Sequence, residues 1–240
     1  MQNSNWLQYY STYLLIRLLP MSSSGFKKRL FEQFARVGKA VSSAHRLEIL
    51  ELLAQSERTV DALAQLTSLP IANVSQHLQY LRKASLVSAR KSGLYVHYSL
   101  ATPLVGELLS AVQKVAERQL GEVDELIRAY LTSKDELEPV SRIGLLERVR
   151  EGLVMVLDVR PLEEYAAGHV PGAINVPLKD LPKRLREFKR SREIVAYCRG
   201  PYCILAFEAV AQLRAKGFKV RRLEDGFPEW KNANLPVATG

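Results

Sequence analysis

Cysteine is scarce in this 240-residue chain: there are only two, Cys198 and Cys203, and they lie close together in the sequence. Two cysteines are too few to cross-link a secreted scaffold, so the disulfide-rich extracellular classes are excluded. We therefore expect a reducing, cytoplasmic location.

The chain also lacks an apolar run long enough to span a bilayer. Trp6–Pro20 is apolar, but Arg17 interrupts it and it falls short of the ~20 residues that a transmembrane helix needs. The basic-then-apolar order of a signal peptide and its small-residue cleavage site are both missing. We expect no membrane association, and we interpret residues 1–24 as a poorly ordered tail or the product of a start codon assigned too early. An additional dimer helix or membrane-surface helix is the alternative.

Acidic residues are outnumbered, with 25 Asp/Glu against 34 Lys/Arg and a formal net charge of +9. Such an excess favours a polyanionic partner. The surplus is densest over residues 24–100, which carry 11 Lys/Arg against 5 Asp/Glu, whereas residues 101–135 carry 4 against 6. The length is comfortable for two domains.

Residues 25–101 are predicted to form a DNA-binding domain. Apolar residues recur at helical spacing from Phe26 to about Leu66, including Phe31 and Phe34, and Thr59 is a good N-cap. After the break "TSLP", a further helical pattern has Val74, Leu78 and Leu81 as its inward face. "LVSARKSGLYVHYSL" then favours a strand, a turn at Ser92–Gly93 and a second strand. Helices followed by a basic hairpin are the layout of a winged helix-turn-helix, an α+β fold.

The opposite face of that last helix is polar, and the hairpin is basic. Asn and Gln side chains can bond base edges in a major groove, and Arg and Lys suit phosphates. The candidate DNA-binding residues are Asn73, Ser75, Gln76, His77, Gln79, Tyr80, Arg82, Lys83, Arg90 and Lys91. A merely solvated polar face remains the alternative on pattern alone.

Residues 102–135 are predicted to contain one long dimerisation helix, from about Thr102 to Ser133, and a linker. Its apolar stripe is too long to be covered by the small domain before it, so a partner chain is the natural cover. The stripe consists of Leu104, Leu108, Val112, Val115, Val123, Leu126 and Tyr130.

The segment "AHRLEILELL…TVDALAQLTSLPIANVSQHLQYLRKASLVSARKSGLYVHYSL" resembles the ArsR family of winged-helix repressors over about residues 30–100. The resemblance implies a homodimer that binds an inverted repeat in double-stranded DNA and is released by an inducer. Many members bind metal through cysteine pairs in this domain or His/Asp sites on the dimer helix. Here the domain has no cysteine, and His45, His77 and His97 have no ligand at suitable spacing. We therefore expect no metal and no cofactor, and a sensor elsewhere in the chain.

Residues 136–240 alternate strand-like runs with helical ones, which predicts an α/β domain with a parallel sheet and helices on both faces. In "EIVAYCRGPYC", Cys198 follows a strand and lies in a loop that leads into a helix. Backbone N–H groups and the helix dipole favour an anion there, so we expect a lowered pKa and a nucleophilic thiolate at Cys198. Arg199 adds positive charge, and Gly200 permits a tight loop.

"VLDVRPLEEYAAGHVPGAINVPL" and "LEDGFPEWKNANLPV", with "YCRGPYC" between them, resemble the signatures of rhodanese domains over about residues 138–238. The resemblance implies that Cys198 carries sulfane sulfur as a persulfide. Residues that match the upstream signature are expected to support the loop: Asp158, Arg160, Glu164, His169 and Gly172. The six-residue loop suits sulfur, whereas phosphatase-like and arsenate-reducing relatives place arginine six positions after the cysteine, where this chain has Ile204.

Many active sulfurtransferases have arginine at the sixth loop position, and this chain has Cys203. A thiosulfate-binding arginine is thus missing unless Arg199 substitutes. Cys203 is either a second thiol that attacks a Cys198 persulfide or a small apolar residue that begins the helix.

Together, the two halves predict a homodimeric ArsR-type repressor that senses a small sulfur donor or a thiol oxidant through Cys198. A working sulfurtransferase with a DNA-binding domain is the alternative. An arsenic-responsive repressor that uses both cysteines is the third hypothesis.

Overall fold

The computed structural model describes residues 23–132 and 138–240. The expectations for residues 1–22 and for the linker within residues 133–137 lie outside these ranges. The chain divides into two compact units, one ending at Ser42 and the other running from Ser43 to Gly240. Within the first unit, helix α1 spans Ser23–Val41, and Phe31 and Phe34 are exposed on it with their rings edge to face.

The second unit begins with the predicted winged helix-turn-helix, which we call the winged-helix half (residues 43–100). Its elements are α2 Ala44–Gln55, β1 Arg58–Thr59, α3 Val60–Thr67, α4 Ile71–Lys83, β2 Val87–Ser92 and β3 Tyr95–Leu100. The Thr59 hydroxyl caps α3 by accepting the Ala62 N–H, as predicted. Val74, Leu78 and Leu81 are fully buried, which confirms the inward face of α4.

The hairpin forms a small antiparallel sheet in the order β1-β3-β2. Ser92 pairs with Tyr95, so the turn consists of Gly93 and Leu94, one residue later than predicted. Gly93 has φ +60°, a left-handed conformation that glycine adopts without steric cost. The first strand pairs Arg58 with Tyr98 of β3, which joins the end of α2 to the wing.

The prediction of one helix from Thr102 to Ser133 was wrong. Helix α5 spans Pro103–Gln119 and α6 spans Gly121–Ile127, and a π-helical turn, Arg128–Thr132, follows. The helix ends because Leu120 has extended backbone and Gly121 is a poor helix former. The periodic apolar pattern nevertheless continues across this break between the two helices. The stripe stays largely uncovered within one chain: Leu104, Val115, Leu126 and Tyr130 are exposed.

The remaining residues form the α/β half (residues 138–240). Its strands are β4 Val154–Asp158, β5 Ile174–Asn175, β6 Glu193–Tyr197 and β7 Val220–Arg222. Its α-helices are α7 Arg142–Arg150, α8 Leu162–Ala167, α9 Leu181–Arg184, α10 Ile204–Ala215 and α11 Phe227–Asn232. Two 3₁₀ turns, Leu178–Asp180 and Leu185–Glu187, flank α9.

All four strands pair in parallel, in the order β5-β4-β6-β7. Successive residues of β6 point to opposite faces and enter two separate cores. Ile194 and Ala196 pack with Leu213 of α10, whereas Val195 packs with Trp230 of α11. The sheet therefore has helices on both faces, which confirms the predicted α/β class. None of the described helices is both long and apolar enough to cross a membrane.

Candidate sulfur site

Cys198 lies at the carboxyl end of β6, and the loop that we call the sulfur loop runs from it to Cys203. Cys203 is the N-cap residue of α10, and its N–H donates to the Gly200 carbonyl at 3.1 Å, which closes the loop tightly. Cys198 is 1% exposed and belongs to the apolar core of the sheet. The strand-to-helix placement is the one that the sequence predicts.

The two cysteine sulfurs lie at bonding distance and are joined as a disulfide, with Cα atoms 6.1 Å apart. In this form neither residue has a thiol that can titrate. Reduction leaves two adjacent thiols, one buried at Cys198 and one half-buried at Cys203, and a nucleophile and a resolving thiol need such proximity. Among the described residues no three His, Cys, Asp or Glu side chains cluster as metal ligands.

Arg199 directs its guanidinium to Glu164 of α8. Its Nε donates to both carboxylate oxygens at 3.1 Å, and its Nη2 donates to Oε1 at 2.7 Å. Glu164 has no exposed side-chain surface, and a second cation, Arg58 of β1, reaches the same oxygen at 2.6 Å. The one cation of the sulfur loop is thus engaged in a buried ion cluster that includes the winged-helix half.

Gly226, the N-cap residue of α11, allows the sulfur loop to pack closely. A Cβ on Gly226 would overlap the backbone of Arg199 and Gly200. The next residue, Phe227, donates its N–H to the Cys198 carbonyl at 3.0 Å. The start of α11 therefore packs against the backbone of the sulfur loop. A side chain at position 226 would displace the loop.

Asp158 and Arg160 form a fully buried ion pair, with Nη2 and Oδ2 2.6 Å apart. Burial opposes the charged guanidinium, but the hydrogen bonds and charge of Asp158 outweigh it and raise the pKa of Arg160. Arg160 also donates to the Gly168 carbonyl at 2.7 Å and lies over the Phe227 ring. These contacts suit the supporting role that the resemblance implies.

His169 stacks on Tyr165 with ring centroids 3.7 Å apart, and its Nδ1 lies 2.9 Å from the Tyr165 carbonyl oxygen. Gly172 has φ +77° in the turn before β5. Both residues lie in the segment between α8 and β5.

Three side chains of the winged-helix half contact or approach the sulfur loop or the residues Arg160 and Glu164. Gln55, at the end of α2, donates to the Arg199 carbonyl at 3.1 Å and accepts from Arg160 Nη1 at 3.2 Å. Glu51, one turn earlier, has Oε1 3.9 Å from the position of a Cβ on Gly200. Arg58 completes the set through Glu164. Sequence reasoning missed all three, because residues more than 100 positions apart leave no local pattern.

The surroundings of Glu51 disfavour the charged form of its carboxyl group. Burial raises its pKa; the charge of Arg199 opposes this, and the neighbouring carboxylates Glu229, Glu48 and Glu164 reinforce it. The pKa of Glu229 is also raised, mainly by burial, although Ser110 and the Gly226 N–H donate to it. Glu51 and Glu229 are therefore both favoured in their protonated forms.

The predicted DNA-binding residues lie together on α4 and the hairpin. The exposed ones are Asn73, Gln76, Gln79, Tyr80, Arg82, Lys83, Arg90 and Lys91, and Ser75 and His77 are half-buried. Arg90 has an intramolecular partner, Glu57, at 2.6 Å, and this pair lowers the pKa of Glu57 and raises that of Arg90.

Two histidines that are distant in the sequence meet behind this surface. The His45 and His77 rings are 5.7 Å apart. Burial lowers the pKa of His77, and the nearby charges of Arg46 and His45 act in the same direction. His77 is thus favoured in its neutral form.

Comparison with known proteins matches each half separately. Residues 43–89 match the family model "Bacterial regulatory protein, arsR family", and residues 144–233 match "Rhodanese-like domain". A sulfurtransferase of Allochromatium vinosum is 32% identical over 85 residues, which are 35% of this chain and 78% of that protein. The homodimeric winged helix-turn-helix DNA-binding domain of Mycobacterium bovis Mb0332 is 41% identical, with TM-score 0.39, over 43% of this chain and 94% of that one.

One relative spans both halves. The HTH-type transcriptional regulator Rv0324 of Mycobacterium tuberculosis is 45% identical over 214 residues, which cover 89% of this chain and 94% of that protein. The chain therefore belongs to the ArsR family of helix-turn-helix transcriptional regulators, in a form whose C-terminal half is a rhodanese-like domain.

Proposed function

We propose that this regulator is a repressor that senses sulfane sulfur or thiol oxidation through Cys198, with Cys203 as the resolving thiol. The observation that carries the proposal is the position of the sulfur loop. The chain's only two cysteines are within bonding distance there, and the loop is in direct contact with the winged-helix half. A change at the sulfurs thus occurs next to the DNA-binding domain.

The chemistry needs only the two thiols and a donor such as a hydrogen polysulfide. The Cys198 thiolate attacks a sulfane sulfur of the donor, forming a persulfide and releasing hydrosulfide. The Cys203 thiolate then attacks the Cys198 sulfur, so that the protein disulfide forms, the persulfide bond breaks and a second hydrosulfide leaves. Two thiols are oxidised by two electrons, the sulfane sulfur is reduced, and the thiol protons pass to the departing sulfide or to solvent.

The surroundings of the loop favour a sensor over a turnover enzyme that uses thiosulfate. Arg199, the only cation of the loop, is held by Glu164, and Glu51 adds a carboxylate nearby. A dianionic donor would therefore have to compete with Glu164 for the only cation of the loop. A sulfurtransferase is the second candidate, favoured by the rhodanese-like match and by the similarity to the A. vinosum protein.

The DNA-reading half is proposed to act as a homodimer on an inverted repeat in the cytoplasm. Within one chain, the stripe on α5 and α6 leaves Leu104, Val115 and Leu126 exposed, and a second copy would cover it. A dimer places two copies of α4 in successive major grooves. A tenfold change in affinity then needs only ~1.4 kcal/mol of difference between two dimer states.

The test is DNA affinity at fixed salt on the region upstream of the chain's own coding sequence, with protein that is fully reduced or treated with polysulfide. We expect a change of about tenfold or more that is absent in Cys198→Ser. Equal affinities in the wild type would contradict the proposal. Rapid thiosulfate–cyanide turnover abolished by Cys198→Ala would support the sulfurtransferase. Release of DNA by arsenite, lost in Cys203→Ser, would support the arsenic-responsive alternative.

A further inference from the structure

We propose that Glu164 is the coupling residue of this regulator: its buried carboxylate joins Arg199 of the sulfur loop to Arg58 of the winged-helix half, and the disulfide state of the loop sets the strength of that link. The inference rests on the proposed function, because it names how a change at Cys198 reaches the DNA-binding domain. It assigns Glu164 a role beyond the loop support that the resemblance implies.

The geometry places one carboxylate between two cations from different halves. Glu164 Oε1 lies 2.7 Å from Arg199 Nη2 and 2.6 Å from Arg58 Nη2. The Glu164 side chain has no exposed surface, whereas those of Arg199 and Arg58 are 19% and 11% exposed. A carboxylate out of contact with water depends on its partners for its charge to be tolerated. Movement of either arginine therefore weakens the contact between the halves.

Each arginine is attached to a part of the molecule that has a function in the proposal. Arg199 directly follows Cys198, so any change in loop curvature moves its backbone. Arg58 belongs to β1, which pairs with β3 of the wing through Arg58 and Tyr98. The hairpin strand β2, which carries Arg90 and Lys91, pairs with the same β3. Two side-chain ion pairs and the strand pairing of β1, β3 and β2 thus connect the sulfur loop to the wing.

Reduction of the Cys198–Cys203 bond can loosen the contact between the two halves. The Cys198–Cys203 bond closes the loop and fixes the Arg199 backbone, where Gln55 also bonds its carbonyl. Arg58 Nε is buried without a hydrogen-bond partner, so hydration of this group favours separation of the halves. Reduction removes the cross-link and gives the loop more conformations. The disulfide form therefore holds the winged-helix half more firmly than the reduced form does.

The first experiment compares DNA affinities of the full-length chain in its reduced and disulfide forms. Arg58→Gln removes the cation on the winged-helix side, and Arg58→Lys keeps a cation there. Glu187→Gln is the matched control, because Glu187 binds Arg184 through two hydrogen bonds on the exposed surface of the same α/β half. We expect the ratio of the two affinities to be about tenfold or more in the wild type and in Glu187→Gln. The ratio falls below about twofold in Arg58→Gln and is largely restored in Arg58→Lys.

The second readout is amide hydrogen exchange of residues 51–59 in the wild type, which does not depend on DNA or on the folding of any variant. We expect slower exchange in the disulfide form than in the reduced form. Equal exchange in the two forms, or a wild-type affinity ratio in a folded Arg58→Gln, overturns the coupling role of Glu164. If exchange differs while the two wild-type affinities are equal, the coupling stands and the proposed sensing function fails.

Discussion

Gln55 donates its side-chain amide to the backbone carbonyl of Arg199 across 3.1 Å, although 144 positions separate the two residues. The same amide group accepts a hydrogen bond from Arg160, which is paired with Asp158. One side chain at the end of α2 therefore contacts both the loop and its ionic support. The rhodanese-like domain and the winged helix-turn-helix meet at the end of the former that carries the sulfur loop.

Gln55→Ala is expected to destabilise the protein, because it leaves the buried Arg160 Nη1 without this acceptor and the Arg199 carbonyl without this donor. An unsatisfied buried polar group costs about 1–3 kcal/mol. Urea denaturation should show a loss of free energy of unfolding in this range. Gln65→Ala, an exposed position on α3, is the control and should change that free energy by less than about 0.5 kcal/mol. Equal values for the two variants would contradict the importance of this contact.

Gly226→Ala is expected to disturb the sulfur loop directly. The added methyl group overlaps the backbone of Arg199 and Gly200, which cannot rotate away as a long side chain can. We predict a loss of about 1–3 kcal/mol in free energy of unfolding and an altered rate of Cys198–Cys203 disulfide formation. Gly121→Ala, where a Cβ meets open space, should be neutral or slightly stabilising. Unchanged stability and disulfide kinetics in Gly226→Ala would contradict the close packing described.

Glu51→Gln is expected to change how stability depends on pH. The pKa of Glu51 is raised, chiefly by burial and despite Arg199, so the folded state favours the protonated carboxyl. The protonated Glu51 carboxyl therefore contributes fully to the stability of the folded state at pH values below the ordinary pKa of glutamate. This contribution is lost as the pH rises through the raised pKa.

The glutamine stays neutral at every pH, so the variant should be more stable than wild type at about pH 8 and nearly equal to it at about pH 4. Thermal or urea unfolding at several pH values measures this. A stability difference that does not vary with pH would show that the Glu51 carboxylate is not penalised by the contact.

Two substitutions on α4 should separate base recognition from phosphate contact. Arg82→Ala is expected to weaken binding to operator and unrelated DNA alike and to reduce the slope of log affinity against log salt by about 1. Gln76→Ala should weaken binding to the operator alone, by about 1–3 kcal/mol. Lys179→Ala, an exposed cation in the α/β half, is the control. Identical effects of the two α4 substitutions on both DNAs would contradict the assignment of α4 as the reading helix.

Much of each half could be predicted from local pattern. The period of apolar residues identified α4 and its buried Val74, Leu78 and Leu81, and the alternation of strands and helices indicated the parallel sheet. The position of Cys198 after β6 also followed from local sequence, because a strand, a loop and a helix are consecutive there. The α5–α6 break escaped prediction because side-chain periodicity continues where the backbone leaves the helix at Leu120.

The contact between the halves could not be predicted from a single sequence. Glu164 was assigned to loop support because it lies in the rhodanese-like signature, and nothing local indicates that Arg58 reaches it from 106 positions away. Gly226 stands in a stretch that resembles the family signature, but the sequence does not show why a glycine is needed there. The need arises from the fold, because a Cβ at this position would overlap the Gly200 backbone. Buried charges from distant parts of the chain are paired by the way the chain packs, and their spacing in the sequence does not reveal the pairing.

The central claim is that the state of Cys198 and Cys203 controls DNA binding. The most direct measurement is a redox titration in which DNA affinity is plotted against the fraction of Cys198–Cys203 disulfide, quantified by mass spectrometry on the same samples. The account predicts that affinity follows the disulfide fraction with a span of about tenfold or more, and that Cys198→Ser shows one constant affinity. An affinity that stays constant in the wild type while the disulfide fraction rises to completion would contradict it.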